Sequence, residues 1–413
     1  MHRTILLFVI FSLVTAVAHG QQTPATLTLQ AAVDHYIEKN LDLQAARYRV
    51  ERANADQIAA RIRPNPGFTF AAESLPFSGP TPFKQLYEVS VSYTETIELG
   101  GKRQLRERVA ELTVSSAEAQ FEDALRRGVA EVKRLYYDAL LARYNVEIAV
   151  ENGQTFTQLV QLNLTRFQEG AIPEGELIKV RLERMKFESA LKQAELNFRQ
   201  ATLRLLEKLG DMSYSAQNIR GDLEFRTMNL DRETLRQSAL EGRADLLAAA
   251  RDVEGSKERL ALEHARAKPD ISPFAGYKRF GEDNTVLFGV NVPLKIRDRN
   301  QAGIARAQTD VKTAETRLQL LRNRALAEVE VAYEAMQTAR EQAQTFRNEL
   351  LQQADESRNI TLAAYEEGGV DLLPVLEAQR TRAEVRHEYF KTLFAYQASL
   401  IDLELAVGKE IQP

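Results

Sequence analysis

The 413-residue chain has no cysteine and no tryptophan, and neither sign of charge is in clear excess. The lack of cysteine excludes disulfide bonds, thiolate metal sites and a cysteine nucleophile. Lys and Arg number 54 against 58 Asp and Glu, so the chain lacks the basic character typical of nucleic-acid-binding proteins. A mean hydropathy of −0.35 excludes a bundle of membrane-spanning helices, each of which needs about 20 apolar residues.

The N-terminal residues 1–20 are typical of a secretory signal peptide. Arg3 supplies the positive charge, residues 5–18 form an apolar run, and cleavage is expected after Ala18 or Gly20. An uncleaved membrane anchor is the alternative, but the run is short for a span. A lipoprotein would need a cysteine after the run, so we predict an exported chain without a lipid at this position.

Proline is scarce, and the 12 prolines leave long proline-free stretches at 83–172, 174–268, 294–373 and 375–412. These stretches are rich in good helix formers, and their apolar residues recur at alternating steps of three and four, as in coiled coils. We predict two helices of about 100 Å, at 102–167 and about 300–366. Asn152–Gly153 is an alternative place for a turn in the first one.

The chain also repeats itself at an offset close to 198 residues. Arg-Phe-Gln-Glu-Gly at 166–170 is similar to Ala-Tyr-Glu-Glu-Gly at 364–368, and Tyr-Asp-Ala at 137–139 is similar to Tyr-Glu-Ala at 333–335. We interpret this as two structural repeats. The predicted divisions are a first repeat, a polar linker, a second repeat and a short tail, at 21–210, 211–231, 232–409 and 410–413.

Each repeat is predicted to contain a helix, two strands, a very long helix, a tight turn and a last helix. The first helix is expected at about 28–62 and the strands at about 67–75, 86–98, 272–280 and 285–294. Two of these strands alternate apolar with polar residues, which indicates one apolar face. Their candidate lipid-facing residues are Tyr87, Val89, Val91, Tyr93, Val286, Phe288, Val290 and Val292.

Four amphipathic strands are too few to close a barrel and would leave exposed sheet edges. Three copies would supply twelve strands, a number within the range of outer-membrane barrels, and the strand lengths suit a bilayer. A small soluble sheet that caps a helical bundle is the alternative. The export signal and the repeated hairpins favour a mainly α fold whose four strands contribute to a trimeric barrel.

Three stretches then make the chain resemble the TolC-like outer-membrane efflux channels over nearly its whole mature length. They are Arg-Pro-Asn-Pro at 63–66, Ile-Glu-Leu-Gly-Gly-Lys-Arg at 97–103 and Val-Pro-Leu-Lys-Ile-Arg-Asp-Arg-Asn-Gln-Ala-Gly at 292–303. Within that family the chain looks most like the CzcC and CusC type, which serves heavy-metal efflux pumps. The resemblance implies a homotrimer in the Gram-negative outer membrane, with a twelve-stranded barrel and a helical periplasmic tunnel. It also implies an inner-membrane RND transporter and a periplasmic adaptor as partners, no cofactor and no enzymatic activity.

The resemblance places the periplasmic mouth of the tunnel at two helix–helix turns, around Gly170 and Gly368. In well-known members an acid after the first turn and a tyrosine before the second hold the mouth closed, and Glu176 and Tyr365 match those positions. Val370 stands where those members have an arginine, so the full acid–arginine lock lacks its arginine here. Ordinary packing is the alternative role for Glu176 and Tyr365.

Acidic residues cluster around the second turn, namely Glu366, Glu367, Asp371 and Glu377. Three copies of this cluster would form an acidic ring, which favours cations over anions at a narrow opening. A solvated helix end is the alternative, and the resemblance adds docking of the adaptor at this end.

Metal ligands are sparse, because the mature chain keeps only His35, His264 and His387, far apart in sequence, and its methionines are equally scattered. Soft metals prefer clusters of such ligands, so we predict no dedicated metal site. No nucleophile–base constellation indicates an enzyme. A general drug or type I secretion duct and a periplasmic coiled-coil tether without a barrel remain as alternatives.

Overall fold

Long helices make up most of the protein, and a four-stranded sheet lies at one end of them. The computed structural model describes residues 26–75, 77–215, 218–225, 227–228 and 230–411. The predicted signal segment 1–20 and its cleavage site lie outside these residues. Within the described ranges, no helix is long and apolar enough to cross a membrane.

The two halves of the chain have the same order of main elements. The first half comprises α1 (Leu29–Lys39), α2 (Leu41–Arg61), β1 (Gly67–Glu73), α3 (Phe83–Leu86), β2 (Glu88–Thr94), α4 (Lys102–Gln168) and α5 (Glu174–Leu209). The second half comprises α6 (Arg232–Gly242), α7 (Ala244–Arg266), β3 (Ser272–Phe280), β4 (Asp283–Asn291), α8 (Gln301–Thr345), a π-helical stretch (Phe346–Leu350), α9 (Leu351–Glu366) and α10 (Leu372–Val407).

The predicted long helices are confirmed. Helix α4 has 67 residues, about 100 Å, and continues through Asn152 and Gly153, so the alternative turn there is wrong. The stretch from α8 to α9 is also helical throughout, and only its π-helical segment departs from regular α geometry.

The prediction of a single helix at 28–62 is wrong, because the helix is interrupted at Asn40, between α1 and α2. Asn40 adopts an extended conformation, and its Oδ1 accepts a 2.9 Å hydrogen bond from the amide of Leu43. Its Nδ2 donates a 2.8 Å hydrogen bond to the carbonyl of Lys208, at the end of α5. An asparagine that caps a new helix and also binds a distant helix end favours two helices over one.

The sheet is antiparallel, with the strand order β1-β2-β3-β4. Val91 in β2 lies opposite Phe70 in β1 and Tyr277 in β3, and Tyr277 lies opposite Val286 in β4. Directly opposed residues in antiparallel strands point to the same face. One mainly apolar face therefore runs across all four strands. Its apolar residues from β1 to β4 are Phe68, Phe70, Ala72, Val89, Val91, Tyr93, Pro273, Ala275, Tyr277, Val286, Phe288 and Val290, and the polar Arg279 and Asn284 lie on the same face near the β3–β4 turn.

Helix α4 is the central packing element, since it contacts α1, α2, α5, α7 and α10. One apolar cluster joins α1, α4 and α5 to the segment after α5, and that segment buries Ile219 and Leu223. A second cluster joins α6, α8 and α10, and a third lies beside the two helix–helix turns. Because α4 contacts both α5 and α10, it holds the two helical hairpins side by side.

Candidate functional site at the helix–helix turns and the sheet face

The two helix–helix turns lie at the end of the long helices farthest from the sheet. A glycine in each turn adopts positive φ, 73° at Gly170 and 81° at Gly368. In both turns the amide after the glycine donates a 2.8 Å hydrogen bond to the carbonyl five residues earlier. This is the Schellman arrangement, whose left-handed residue is strained for any side chain with a β-carbon. The geometry accounts for a glycine at each turn.

Tyr365, in the last turn of α9, is buried and reaches across to α4. Its hydroxyl donates a 2.6 Å hydrogen bond to Oδ1 of Asn163, whose Nδ2 donates to the carbonyl of Leu159 at 2.8 Å. The Arg166 guanidinium lies 4.7 Å from the centre of the Tyr365 ring, and its Nη2 donates to the carbonyls of Tyr365 and Glu366 at 2.8 and 2.9 Å. A cation at a helix C-terminus is favourable, so α4 holds the end of α9 through two side chains.

Glu176 lies half-buried in the first turn of α5. Its carboxylate forms no hydrogen bond or ion pair with described residues, so no such contact joins it to Tyr365 within one chain. Val370 packs on the apolar cluster that contains Tyr365 and Leu372. At the position where well-known members of the resembled family have an arginine, this chain therefore has a valine in apolar contacts. The gating roles of Glu176 and Tyr365 stay predictions.

The predicted acidic residues around the second turn are all exposed. No ion pair neutralises their carboxylates within the described part of the chain, although the backbone carbonyl of Glu366 accepts a hydrogen bond from Arg166. Two further exposed acids, which the sequence analysis did not single out, lie at the first turn. The full set comprises Glu169, Glu174, Glu366, Glu367, Asp371 and Glu377.

A second buried polar contact joins α4 to α10. Nε2 of Gln379 donates a 2.9 Å hydrogen bond to Oδ1 of Asn152, and Nε of Arg358 donates to Oε1 of Gln379 at 3.2 Å. Both amides are buried, and buried amides need such partners. Asn152 is therefore part of the contact between the two hairpins.

One carboxylate on α4 forms ion pairs with two arginines of α10. Glu151 binds Arg382 at 2.7 Å and also binds Arg386, while Arg382 binds Asp355 of α9 as well. Burial raises the pKa of Glu151, but hydrogen bonds from and charges on the two arginines outweigh that effect. The pKa of Glu151 consequently lies below its ordinary value, and the carboxylate stays charged at neutral pH.

The sequence analysis missed the polar residues that connect the hairpins, namely Asn163, Arg166, Asn152 and Gln379. The sequence contains part of the information needed to find them, because a lone amide among the apolar residues of a helix–helix interface often specifies how helices pair. The partners are about 200 residues apart or more, however, and periodicity in one helix does not identify its partner in another.

The strand residues predicted to face lipid fall into two groups. Val89, Val91, Tyr93, Val286, Phe288 and Val290 lie on the shared apolar face of the sheet, where Val286 is 79% and Phe288 83% exposed. Tyr87 and Val292 lie outside the strands, which are shorter than predicted at these ends. A one-turn helix, α3, precedes β2, and the Tyr87 ring stacks on Phe83 at 5.1 Å. Contact with lipid remains a prediction.

No group of three or more His, Cys, Asp or Glu side chains in the described ranges could hold a metal ion. Two of the histidines have other partners. Nε2 of His35 lies 2.8 Å from the Tyr214 hydroxyl, and Nδ1 of His387 lies 2.9 Å from Oδ1 of Asn145.

Comparison with known proteins identifies relatives along nearly the whole chain. The family model described as outer membrane efflux protein matches residues 32–230 and again 235–409. The cobalt-zinc-cadmium resistance protein CzcC of Cupriavidus metallidurans is 27% identical over 387 residues, which cover 92% of this chain and 90% of CzcC.

Solved structures of outer-membrane channels have the same fold. The CmeC outer membrane channel of Campylobacter jejuni superposes with a TM-score of 0.78 at 17% identity, covering 99% of this chain and 93% of CmeC. A CusC structure described in terms of transmembrane channel formation superposes with a TM-score of 0.75 at 18% identity, covering 92% of each chain. The predicted mainly α, TolC-like fold is confirmed.

Proposed function

This chain belongs to the outer membrane efflux protein family, and we propose that it is the exit channel of a tripartite pump for heavy-metal cations. As a member of that family it lies in the outer membrane, with its helices extending into the periplasm. The observation that carries the proposed cargo is the similarity to the cobalt-zinc-cadmium resistance protein over nine tenths of both chains. Cobalt, zinc and cadmium, or copper and silver, are the proposed cations.

The proposed channel is a homotrimer. Among the described residues of one chain, β1 and β4 are the outer strands of the sheet, and each has one edge without a partner strand. Exposed edges favour pairing with another chain, and cyclic symmetry would join β4 of one copy to β1 of the next. Three copies would close twelve strands, with the apolar face that includes Phe70 and Phe288 toward lipid.

The proposed partners are a periplasmic adaptor and an inner-membrane RND transporter, which supplies the energy. The channel would meet the adaptor at the end formed by the two helix–helix turns, farthest from the membrane. The exposed acids there, which include Glu366, Glu367 and Asp371, would also attract cations to the opening. This arrangement assigns the protein a conducting role and no catalytic one.

We also propose that the chain consists of two repeats, 21–210 and 232–409, joined by the linker 211–231. The matched order of elements and the double match of one family model support this division. The paired turns support it further, since Gly170 and Gly368 are 198 residues apart and have the same hydrogen bonds.

The test is the growth of a strain that lacks this gene and any other channel of the family. Zinc, cobalt, cadmium, nickel, copper and silver are compared with a panel of drugs and detergents. We expect sensitivity to a few metals only, reversed by the wild-type gene and not by the empty vector. Sensitivity to drugs with unchanged metal tolerance would contradict the cargo and favour a general duct. A protein absent from the outer-membrane fraction, or never trimeric on gels, would favour the tether without a barrel.

A further inference from the structure

The segment after β4, residues 292–299, is exposed along its whole length and combines apolar with basic side chains. Leu294 is 75% and Ile296 66% exposed, although both are large aliphatic residues. Lys295 and Arg297 alternate with them, and Asp298 and Arg299 follow, so the segment carries three basic side chains and one acidic side chain. An exposed segment of this composition in a folded protein indicates a surface that is covered by something both apolar and anionic.

The position of the segment identifies the apolar side of that surface. Leu294 and Ile296 continue the even-numbered apolar positions of β4, which include Val290, beyond the end of the strand. The ends of the neighbouring strands add further exposed aliphatic residues at the same level, Ile62 before β1 and Ile97 after β2. Exposed aliphatic side chains therefore lie next to the helix-side end of the apolar face of the sheet. At Leu294 and Ile296 the chain has left the strand, since the amide of Ile296 donates a 3.0 Å hydrogen bond to the carbonyl of Leu294.

The same level of the molecule carries unpaired positive charge. Lys102 and Arg106 are neutralised inside the chain, since Lys102 binds Asp270 at 2.7 Å and Arg106 binds Glu98. Other basic side chains next to the strand ends are exposed and form no ion pair with described residues, namely Arg61, Arg63, Lys268, Lys295, Arg297 and Arg299. The cations that form no ion pair thus lie at the helix-side end of the sheet, although Nε of Arg299 donates a 3.3 Å hydrogen bond to the carbonyl of Ile296.

An open cavity of about 480 Å³ adjoins this level and is large enough for a polar headgroup. Its charged lining consists of Lys102, Arg106, Arg266, Lys268, Lys295, Glu98, Asp270 and Asp298. Lys102, Arg106 and Arg266 are paired with Asp270, Glu98 and Glu263, so Lys268, Lys295 and Asp298 are the lining charges without an ion pair among the described residues. The aliphatic part of Lys268 lies across Gly100, so close that a β-carbon at position 100 would come within 3.0 Å of Cδ of Lys268. The Lys268 side chain is therefore placed at the junction between β2 and α4.

We propose that this basic band, defined by Lys268, Lys295, Arg297 and Arg299, binds the phosphate groups of anionic phospholipid in the periplasmic leaflet of the outer membrane. Leu294 and Ile296 would contact the acyl chains, while the basic side chains extend to the headgroups. The helices begin at this end of the sheet, so the band lies on the periplasmic side. The proposal rests on the outer-membrane location and is independent of the proposed cargo.

The test uses the full-length protein, reconstituted into nanodiscs of equal parts phosphatidylglycerol and phosphatidylethanolamine. Native mass spectrometry counts the lipids that stay bound when the protein is released. We expect phosphatidylglycerol to be enriched on the wild type. In K295Q/R297Q/R299Q the ratio of the two lipids should fall at least about fivefold, because each cation near an anionic surface contributes roughly that factor in affinity.

The matched control is K312Q/R317Q/R322Q, which removes three exposed cations of α8 that form no ion pair with described residues. It should retain the wild-type ratio. A second variant, L294S/I296S, keeps every charge and should lose both lipids. Equal ratios in the wild type and K295Q/R297Q/R299Q would overturn the proposal. It would also be overturned if excess inorganic phosphate abolished the enrichment, which would indicate a site for free anions.

Discussion

The hydroxyl of Tyr365 donates a 2.6 Å hydrogen bond to Oδ1 of Asn163, and both side chains are shielded from solvent. The two residues are 202 positions apart and belong to different helical hairpins. Because α9 ends at the next residue, Glu366, this contact fixes the end of one hairpin against the other at the proposed mouth of the channel. It also gives the tyrosine a structural partner within its own chain.

Removing the Tyr365 hydroxyl should destabilise the packing of the end of α9 against α4. In Y365F, Oδ1 of Asn163 is left buried without a donor, which costs about 1–3 kcal/mol. We expect faster hydrogen exchange of the amides at 159–166 and 362–368, measured by mass spectrometry. The double variant N163L/Y365F replaces both partners by apolar groups and should recover much of the protection. Identical exchange in Y365F and the wild type would show that the hydrogen bond contributes nothing.

Arg166 should keep the two turns together. R166K retains the charge but loses the planar guanidinium that stacks on Tyr365 and binds two carbonyls. We expect larger single-channel conductance in planar bilayers, because the end of α9 is released from α4. R181K is the matched control, since Arg181 is exposed and has no ion pair in the described ranges. Unchanged conductance in R166K would show that the contact between Arg166 and the end of α9 does not keep the mouth closed.

The acids at the second turn should favour cation passage. E366Q/E367Q/D371N removes three exposed negative charges per chain, so we expect lower cation conductance and a selectivity shifted toward anions in planar bilayers. The control E38Q/E233Q/E241Q removes as many exposed acids from α1 and α6, which pack against the middle of the long helices and not against the turns. If both triple variants had equal effects, the net charge of the protein, and not the position of the acids, would determine the selectivity. If E366Q/E367Q/D371N had no effect, the acidic ring would be contradicted.

The contact between α4 and α10 should weaken in acid. The pKa of Glu151 is lowered in the folded chain, so its ion pairs with Arg382 and Arg386 stabilise fully above the ordinary carboxyl pKa of about 4.3. That contribution is lost as pH falls from there through the lowered folded value. We expect amides at 148–155 and 379–386 to lose protection in hydrogen exchange only below about pH 4.

Two variants check this assignment of the acid response. E151Q lacks the ion pairs at every pH, so its protection should be lower at neutral pH and should change less on acidification. E147Q lies one helical turn away, removes an exposed carboxylate paired with Arg143, and should behave as the wild type. A wild-type acid response in E151Q would assign the response to another group.

Much of the architecture follows from local sequence. The strand predicted at 272–280 is confirmed residue for residue as β3, and α4 and α8 begin within a residue or two of the predicted positions. Helical periodicity, strand alternation and the glycine at each turn depend on neighbours a few residues apart, and such neighbours are visible in sequence. The errors at Asn40 and Tyr87 arose where a local cap or a one-turn helix interrupted a longer pattern.

The sequence by itself determined the long helices, the amphipathic strands, the two glycine turns and the family. Only the tertiary structure decided that Asn163 binds Tyr365, that Asn152 binds Gln379 and that the unpaired cations gather at the end of the sheet. The physical reason is range. Helix and strand patterns arise from contacts within about four residues, whereas these pairings exist only once two hairpins pack side by side and bring residues about 200 positions apart within hydrogen-bonding distance.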